Sequence, residues 1–329
     1  MATYSPFDGN VIQIGAEGTS GTALAADVLW RGPAASIEDG SEVVHADETI
    51  GLLAPSGRTY IPQKIARLAM PETDATFEQL PHIFEAGILT ATPTGASPYA
   101  YPYAVPFNTD PAITTYTVET GNKIAYGAES GEMEYSFVES FTLSGRSGEP
   151  WKVSANWVGR QFIKSALTTV AVAAVEEMLF QKTIVSVDAT GGTIGATALD
   201  GVVVDCSIKA EKTGIVAVFT ADGELFFVTH KRVMPSYKLT MTLELNSDED
   251  VAAIRTGRDA GSIQLVRVAV AGTASRAAEF DLAVKWDKVG TIQNSDGNTT
   301  VQVEGTAVYS SADALYAKFT VSNLLAALP

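Results

Sequence analysis

Hydrophobic and polar residues alternate most strictly near Tyr237, where Tyr237, Leu239, Met241, Leu243 and Leu245 take turns with Lys238, Thr240, Thr242 and Glu244. A period of two gives one apolar and one wet face only to a β-strand, so a half-buried strand is expected there. It stops at Asn246 and Ser247, and Ser247 is placed to cap a short helix with an acidic first turn (Asp248, Glu249, Asp250). Val251 and Ile254 lie on one face of that helix, and Gly257 near its end. The chain turns apolar and β-branched again from Ile263 to Val270, and Phe280, Leu282, Val284 and Trp286 repeat the alternation. The expected unit is strand, helix, strand, strand.

The first half carries the same kind of pattern. Short strand-like runs fill 42–70, and Phe77, Leu80, Ile83 and Phe84 mark a helical region over about 74–86 that Pro81 must restart. A strand from Thr115 to Tyr126 follows, and then Tyr135, Phe137, Phe141 and Leu143 alternate with Ser136, Ser140, Thr142 and Ser144. Glu139 is the one exception among the apolar positions. After a turn at 145–150, Trp151, Val153, Ala155 and Trp157 alternate with Lys152, Ser154 and Asn156, which predicts a hairpin of two long strands. Phe162 to Phe180 reads as a partly helical linker. The Asp-Gly pairs at 222–223 and 296–297 read as hairpin turns. The two halves share this order of elements without visible identity, which points to a duplicated domain.

One segment stands apart from both halves. Between Thr90 and Pro111 five prolines interleave with Tyr99, Tyr101, Tyr103 and Phe107. Proline at that density excludes helix and central strand, so a long irregular connection is expected. Its aromatics lack a local core to cover them, which assigns Tyr99, Tyr101, Tyr103 and Phe107 to a contact between subunits.

Composition narrows the function. The 329 residues are 46% hydrophobic, enough for a substantial core, and 38 Asp and Glu against 22 Lys and Arg give a formal charge of −16. Such a surface does not grip nucleic-acid phosphates. The single cysteine, Cys206, sits in an apolar run and excludes an intramolecular disulfide. No apolar run of about 18 residues is present to span a bilayer, and the N-terminus lacks signal-peptide order, so a cytoplasmic protein without membrane contact is expected. His45, His82 and His230 have no metal-ligand spacing, and Gly15, Gly18 and Gly21 fit neither dinucleotide nor phosphate-loop fingerprints. Ser144 to Gly148 lies in a hairpin turn rather than a nucleophile elbow. No catalytic residue, cofactor or metal is assigned.

Several stretches resemble a known family. They are Ala66-Arg67, Thr76 to Pro81, Val158 to Gln161, Val175 to Thr183, Asp188 to Gly192 and the closing Val321 to Pro329. Together they are similar to the tail tube (major tail) proteins of long-tailed bacteriophages, over most of the chain. The resemblance implies a mainly β fold of tail-tube type, a β-sandwich or barrel with flanking short helices. Combined with the duplication, it implies two tandem tube-like domains, 1–160 and 193–329, joined by a linker at 161–192. It implies a structural virion protein that assembles in the host cytoplasm into stacked rings, the conduit for DNA ejection. Its partners would be itself, in a ring of three pseudo-sixfold subunits or of six, together with tape measure, terminator and tip proteins. Double-stranded DNA would pass without tight binding. Ser136, Ser140, Thr142, Thr240, Thr242 and Glu244 are the expected lumen-facing residues. Two alternatives stand beside this reading: another self-assembling virion part, such as a minor tail or capsid decoration protein, and a carbohydrate-binding sandwich. Trp151 and Trp157 argue against the second, because they share the apolar face of an alternating strand.

Overall fold

The computed structural model describes residues 9–54, 57–124, 130–245, 248–295 and 297–329. Pro55, Tyr126, the capping Ser247 and Asp296 of the second Asp-Gly pair lie outside them. The protein is mainly β, and its strands pair antiparallel throughout.

The first half runs β1 (Asn10–Ala16), β2 (Val28–Leu29), β3 (Glu38–Asp39), β4 (Val44–His45), β5 (Thr59–Tyr60) and β6 (Ala66–Asp74). Helix α1 (Leu80–Gly87) follows, then β7 (Tyr99–Ala104), β8 (Tyr116–Asn122), β9 (Gly131–Arg146), β10 (Lys152–Gly159) and β11 (Ile163–Lys164). The second half runs β12 (Thr183–Ala189), β13 (Val203–Lys212), β14 (Ile215–Val218), β15 (Thr229–Arg232) and β16 (Ser236–Glu244). It continues with α2 (Asp248–Asp259), β17 (Gln264–Ala271), β18 (Ala277–Val289), β19 (Gln293–Ser295), β20 (Asn298–Ala307) and β21 (Ala317–Asn323).

The pairing of the second half repeats that of the first. In the first, β1 pairs with β8, β8 with β9, β9 with β10, β10 with β6 and β6 with β3. In the second, β12 pairs with β17, β17 with β18, β18 with β20, β20 with β16 and β16 with β13. A separate hairpin interrupts each half at the same point, β4–β5 before β6 and β14–β15 before β16. Even the outermost turns match: Trp30 N donates to Ile12 O as Leu199 N donates to Val185 O.

The long strands β9 and β18 each carry a bulge. Trp157 faces Val138 and Asn156 faces Ser140, so Glu139 is the extra residue. Trp286 faces Gly305 and Lys288 faces Glu304, so Asp287 is the extra residue. A bulge bends a strand and reverses which face the following side chains occupy, which lets one strand serve two layers.

The two halves do not form separate bodies. Strand β9 of the first pairs with β13 of the second from Phe141↔Ala210 to Arg146↔Asp205, and β7 pairs with β21. One hydrophobic cluster takes residues from both halves, from Ile12 to Val321. The residues of the expected 1–160 and 193–329 units thus share one sheet and one hydrophobic cluster. The fully buried Phe84 of α1 sits at the centre, ringed by Tyr103, Phe141, Phe280 and Phe319.

Within 161–192 the described chain has no α-helix: after β11 it is irregular, apart from isolated bridges at Glu177 and Leu179, up to a 3-10 turn at Phe180–Lys182, and β12 follows. A β-branched, alanine-rich run with no apolar stripe gains more from lying along the first repeat. Glu119, itself buried, accepts from Thr168 N and Thr168 Oγ1, and Gln13 Nε2 donates to Thr168 O. Farther on, Arg276 of the second repeat grips Glu78 at 2.7 Å and Glu176 at 3.1 Å.

Candidate functional site

A polar surface runs across the outer face of the sheet β10–β9–β13–β16–β20 with the end of β18. Register places its side chains in rows: Ser154, Thr142, Lys209, Lys238, Thr306 and Lys285 in one, and Lys152, Ser144, Ser207, Thr240, Glu304 and Lys288 in the next. A third row holds Arg146, Asp205, Thr242 and Gln302. These are the polar members of the alternations, and their neighbours along each strand, such as Leu143, Ile208, Leu239 and Val303, are buried beneath.

Five of the six residues expected on one wall, Ser140, Thr142, Thr240, Thr242 and Glu244, lie together on this face and are half-buried. Ser136 does not. It is fully buried and its Oγ donates to Met133 O. The bulge at Glu139 is the reason, since a continuous period of two cannot hold across an inserted residue. The same bulge splits the apolar set: Phe141 and Leu143 enter the main core, whereas Tyr135 and Phe137 join a second cluster.

Four cations on or beside this face are held by carboxylates. Arg67 pairs with Glu139 at 3.1 Å, Lys238 with Glu211 at 2.9 Å, Lys288 with Glu304 at 3.3 Å and Lys152 with Glu149 at 3.0 Å. Lys209 and Lys238 stand directly opposite each other, a like-charge pair that is unfavourable by itself. Glu211 offsets it: the hydrogen bond from Lys238 lowers the Glu211 carboxyl below its ordinary range and raises Lys238 above its own. The acidic bulge recurs by register, for Asp287 occupies the place of Glu139 and Lys238 that of Arg67.

The proline and tyrosine stretch is corrected in part. Tyr99–Ala104 is a strand, β7, hydrogen-bonded along one side to β21. An edge strand tolerates proline because one row of its amides needs no partner. Tyr101 and Tyr103 point into this chain's own core and are buried, Tyr99 is half-buried, and Tyr101 Oη donates to Leu325 O at 2.6 Å. Phe107 alone is exposed, and it stacks on Tyr309 with ring centroids 4.4 Å apart.

The second hairpin lies on the first repeat. Ile215 and Phe227 bury themselves against Tyr135, Phe137, Val158 and Ile113. Arg160 fastens it: Nε donates to Phe227 O, Nη2 to Val228 O, and the guanidinium lies 4.4 Å from the Tyr135 ring centre. Lys64 N adds a bond to Leu225 O. The Asp222-Gly223 turn is present, with Gly223 at φ +99°, but the return strand starts at Thr229 rather than Leu225. No protein-family model and no curated protein matches this chain.

Sequence reading alone missed Arg160 and the buried acceptor Glu17. Glu17 accepts from Gly21 N, Thr115 Oγ1, Thr117 Oγ1 and Tyr135 N, holding Tyr135 at φ +53°. Nothing periodic marks either residue. Trp151 and Trp157 are buried core, as their alternation indicated. Burial pushes the Cys206 thiol up, and His82, buried against Tyr116, is pushed down to about 4. Among the described residues no group of three His, Cys, Asp or Glu side chains is placed to hold a metal, and no helix is long and apolar enough to cross a membrane.

Proposed function

We propose that this chain is a tail tube protein, a structural virion component whose copies close into rings and stack into a conduit for double-stranded DNA. One observation carries the reading: the junction between the two repeats is a sheet continuation whose counterparts stand open at both ends. Inside the chain, residues 205–210 of the second repeat extend the sheet of the first at 141–146. By register the counterpart of 205–210 is 34–39, and that of 141–146 is 289–294. Among the described residues, 289–294 pairs only with β20 and 34–39 only with β6. Joining 34–39 of one copy to 289–294 of the next repeats the internal junction, with Ile37 N exchanging its bond to Thr120 Oγ1 for one across the joint, and open strand edges favour such pairing.

Two repeats per chain then make a sixfold ring from three chains. The polar face becomes the wall of the channel, with Ser140, Thr142, Thr240, Thr242 and Glu244 on it. Four cations on or beside it are paired with carboxylates, which lowers the cation density that passing DNA can release counterions against. Tape measure, terminator and tip proteins are the further partners this role requires. Negative-stain microscopy of concentrated protein, with native mass of single rings, tests the reading. Hollow tubes with three chains per ring are expected. Six chains per ring would overturn the shared-ring geometry, and a chain that stays monomeric at every concentration would overturn the function.

A further inference from the structure

The first hairpin and its surroundings, 43–54 and 57–61, hold a dense set of uncovered apolar side chains: Val43, Ile50, Leu52, Leu53, Tyr60 and Ile61 are all exposed. Its counterpart in the second repeat, 213–233, is covered in part: Phe227 and Ile215 are buried against the first repeat, while Phe219, Leu225 and Val233 are exposed. The two hairpins occupy the same place in the repeated topology but differ in having a surface to lie on.

The register shows where such a surface is. Residues 225–228 of the second hairpin sit on Lys64 and Arg160. The positions equivalent to these in the second repeat are Pro235 and Val308. Both line an open groove of about 960 Å³ whose walls include Phe107, Val233, Met234 and Tyr309. All four of those side chains are exposed, Met234 to 87%. An uncovered apolar hairpin and an uncovered apolar groove thus lie where the repeat, continued outside the chain, would bring them together.

We infer that residues 43–54 and 57–61 of one copy dock against the groove formed by 106–110, 232–236 and 306–309 of a second copy. This contact rests on the self-assembly reading and adds to it a second, side-chain-based junction beside the sheet continuation. Leu52 and Leu53 fill the groove against Met234, Phe107 and Tyr309, burying apolar surface on both partners. The occupant is a second copy of this chain because the groove sits at the repeat-equivalent position and the hairpin is the element that position receives.

Two variants and one cross-link test it. Leu52→Cys and Met234→Cys chains are mixed and oxidised; the native Cys206 is buried and stays out of the reaction. A disulfide-linked pair forming only in the mixture, and only under assembling conditions, is expected. Leu52→Glu with Leu53→Glu, at exposed positions, should leave the monomer folded by circular dichroism. It should raise the concentration needed for assembly by at least about tenfold, since two leucines leave an interface. Assembly of that variant at the wild-type concentration, without the cross-link, overturns the hairpin contact and leaves the tube reading standing. Wild-type protein that never self-associates overturns both.

Discussion

Replacing Phe84 by alanine tests the claim that the two repeats share one core. Its ring centre lies 5.4 Å from Tyr103, 5.4 Å from Phe141, 6.4 Å from Phe280 and 5.0 Å from Phe319. Two of those neighbours belong to each repeat, and all are buried. A Phe→Ala change in a core costs about 3–5 kcal/mol, lost transfer energy plus the cavity left behind. The upper part of that range is expected, because aromatic rings anchored in four different strands leave little room for the cavity to collapse. Against a total stability of about 5–15 kcal/mol the loss is large. Urea unfolding followed by circular dichroism gives the magnitude, as a lowered midpoint with an unchanged slope. Hydrogen exchange of peptides from β10 and β17, read in the same urea series, gives the distribution. Both should lose protection together. A loss under about 1 kcal/mol, or exposure of β10 while β17 stays protected, would refute a common core.

His82 makes stability depend on pH. Burial lowers its pKa from 6.5 to about 4, so the folded value lies below the unfolded one. Its contribution is whole above pH 6.5 and is lost as pH falls through about 4, up to about 3 kcal/mol. The urea midpoint of the wild type should therefore fall more between pH 7 and pH 4 than that of His82→Gln, and equal slopes would count against a neutral buried imidazole. Arg160→Ala removes the donors that hold the second hairpin. Faster hydrogen exchange in about 215–232 is expected, with the opening free energy of that hairpin lowered by about 1–3 kcal/mol; unchanged exchange would show that the apolar contacts suffice.

How far the sequence was legible follows from what each signal depends on. The strand at 236–244 was plain because its alternation is unbroken and its two faces meet water and core along its whole length. The element order of the halves was legible too, since strand and helix periods differ whatever the side chains are. Glu139 is visible as an exception to the apolar set, yet its meaning as an inserted residue depends on the partner strand, and with it the burial of Ser136. The prolines of 90–111 spoke against a strand in general, whereas an edge strand with one bonded side was what the chain needed. The run 162–180 was read by composition alone, while its path is set by distant carboxylates, Glu119 and Glu78. Of the polar wall, each strand's share was legible, but its extent across strands required register.

The internal junction between 141–146 and 205–210 has a kinetic consequence. Its two sides are tethered by one polypeptide, so it forms as a folding step with a rate independent of how much protein is present. Bringing separate molecules together costs an estimated 4–15 kcal/mol of translational and rotational freedom each time. A tether replaces that with a high effective concentration. A ring assembled from two-repeat chains therefore meets the bimolecular cost at only every other joint. Fusion also makes neighbouring positions inseparable, so their outer surfaces are free to diverge, and the proposed sixfold channel would carry threefold decoration on its exterior.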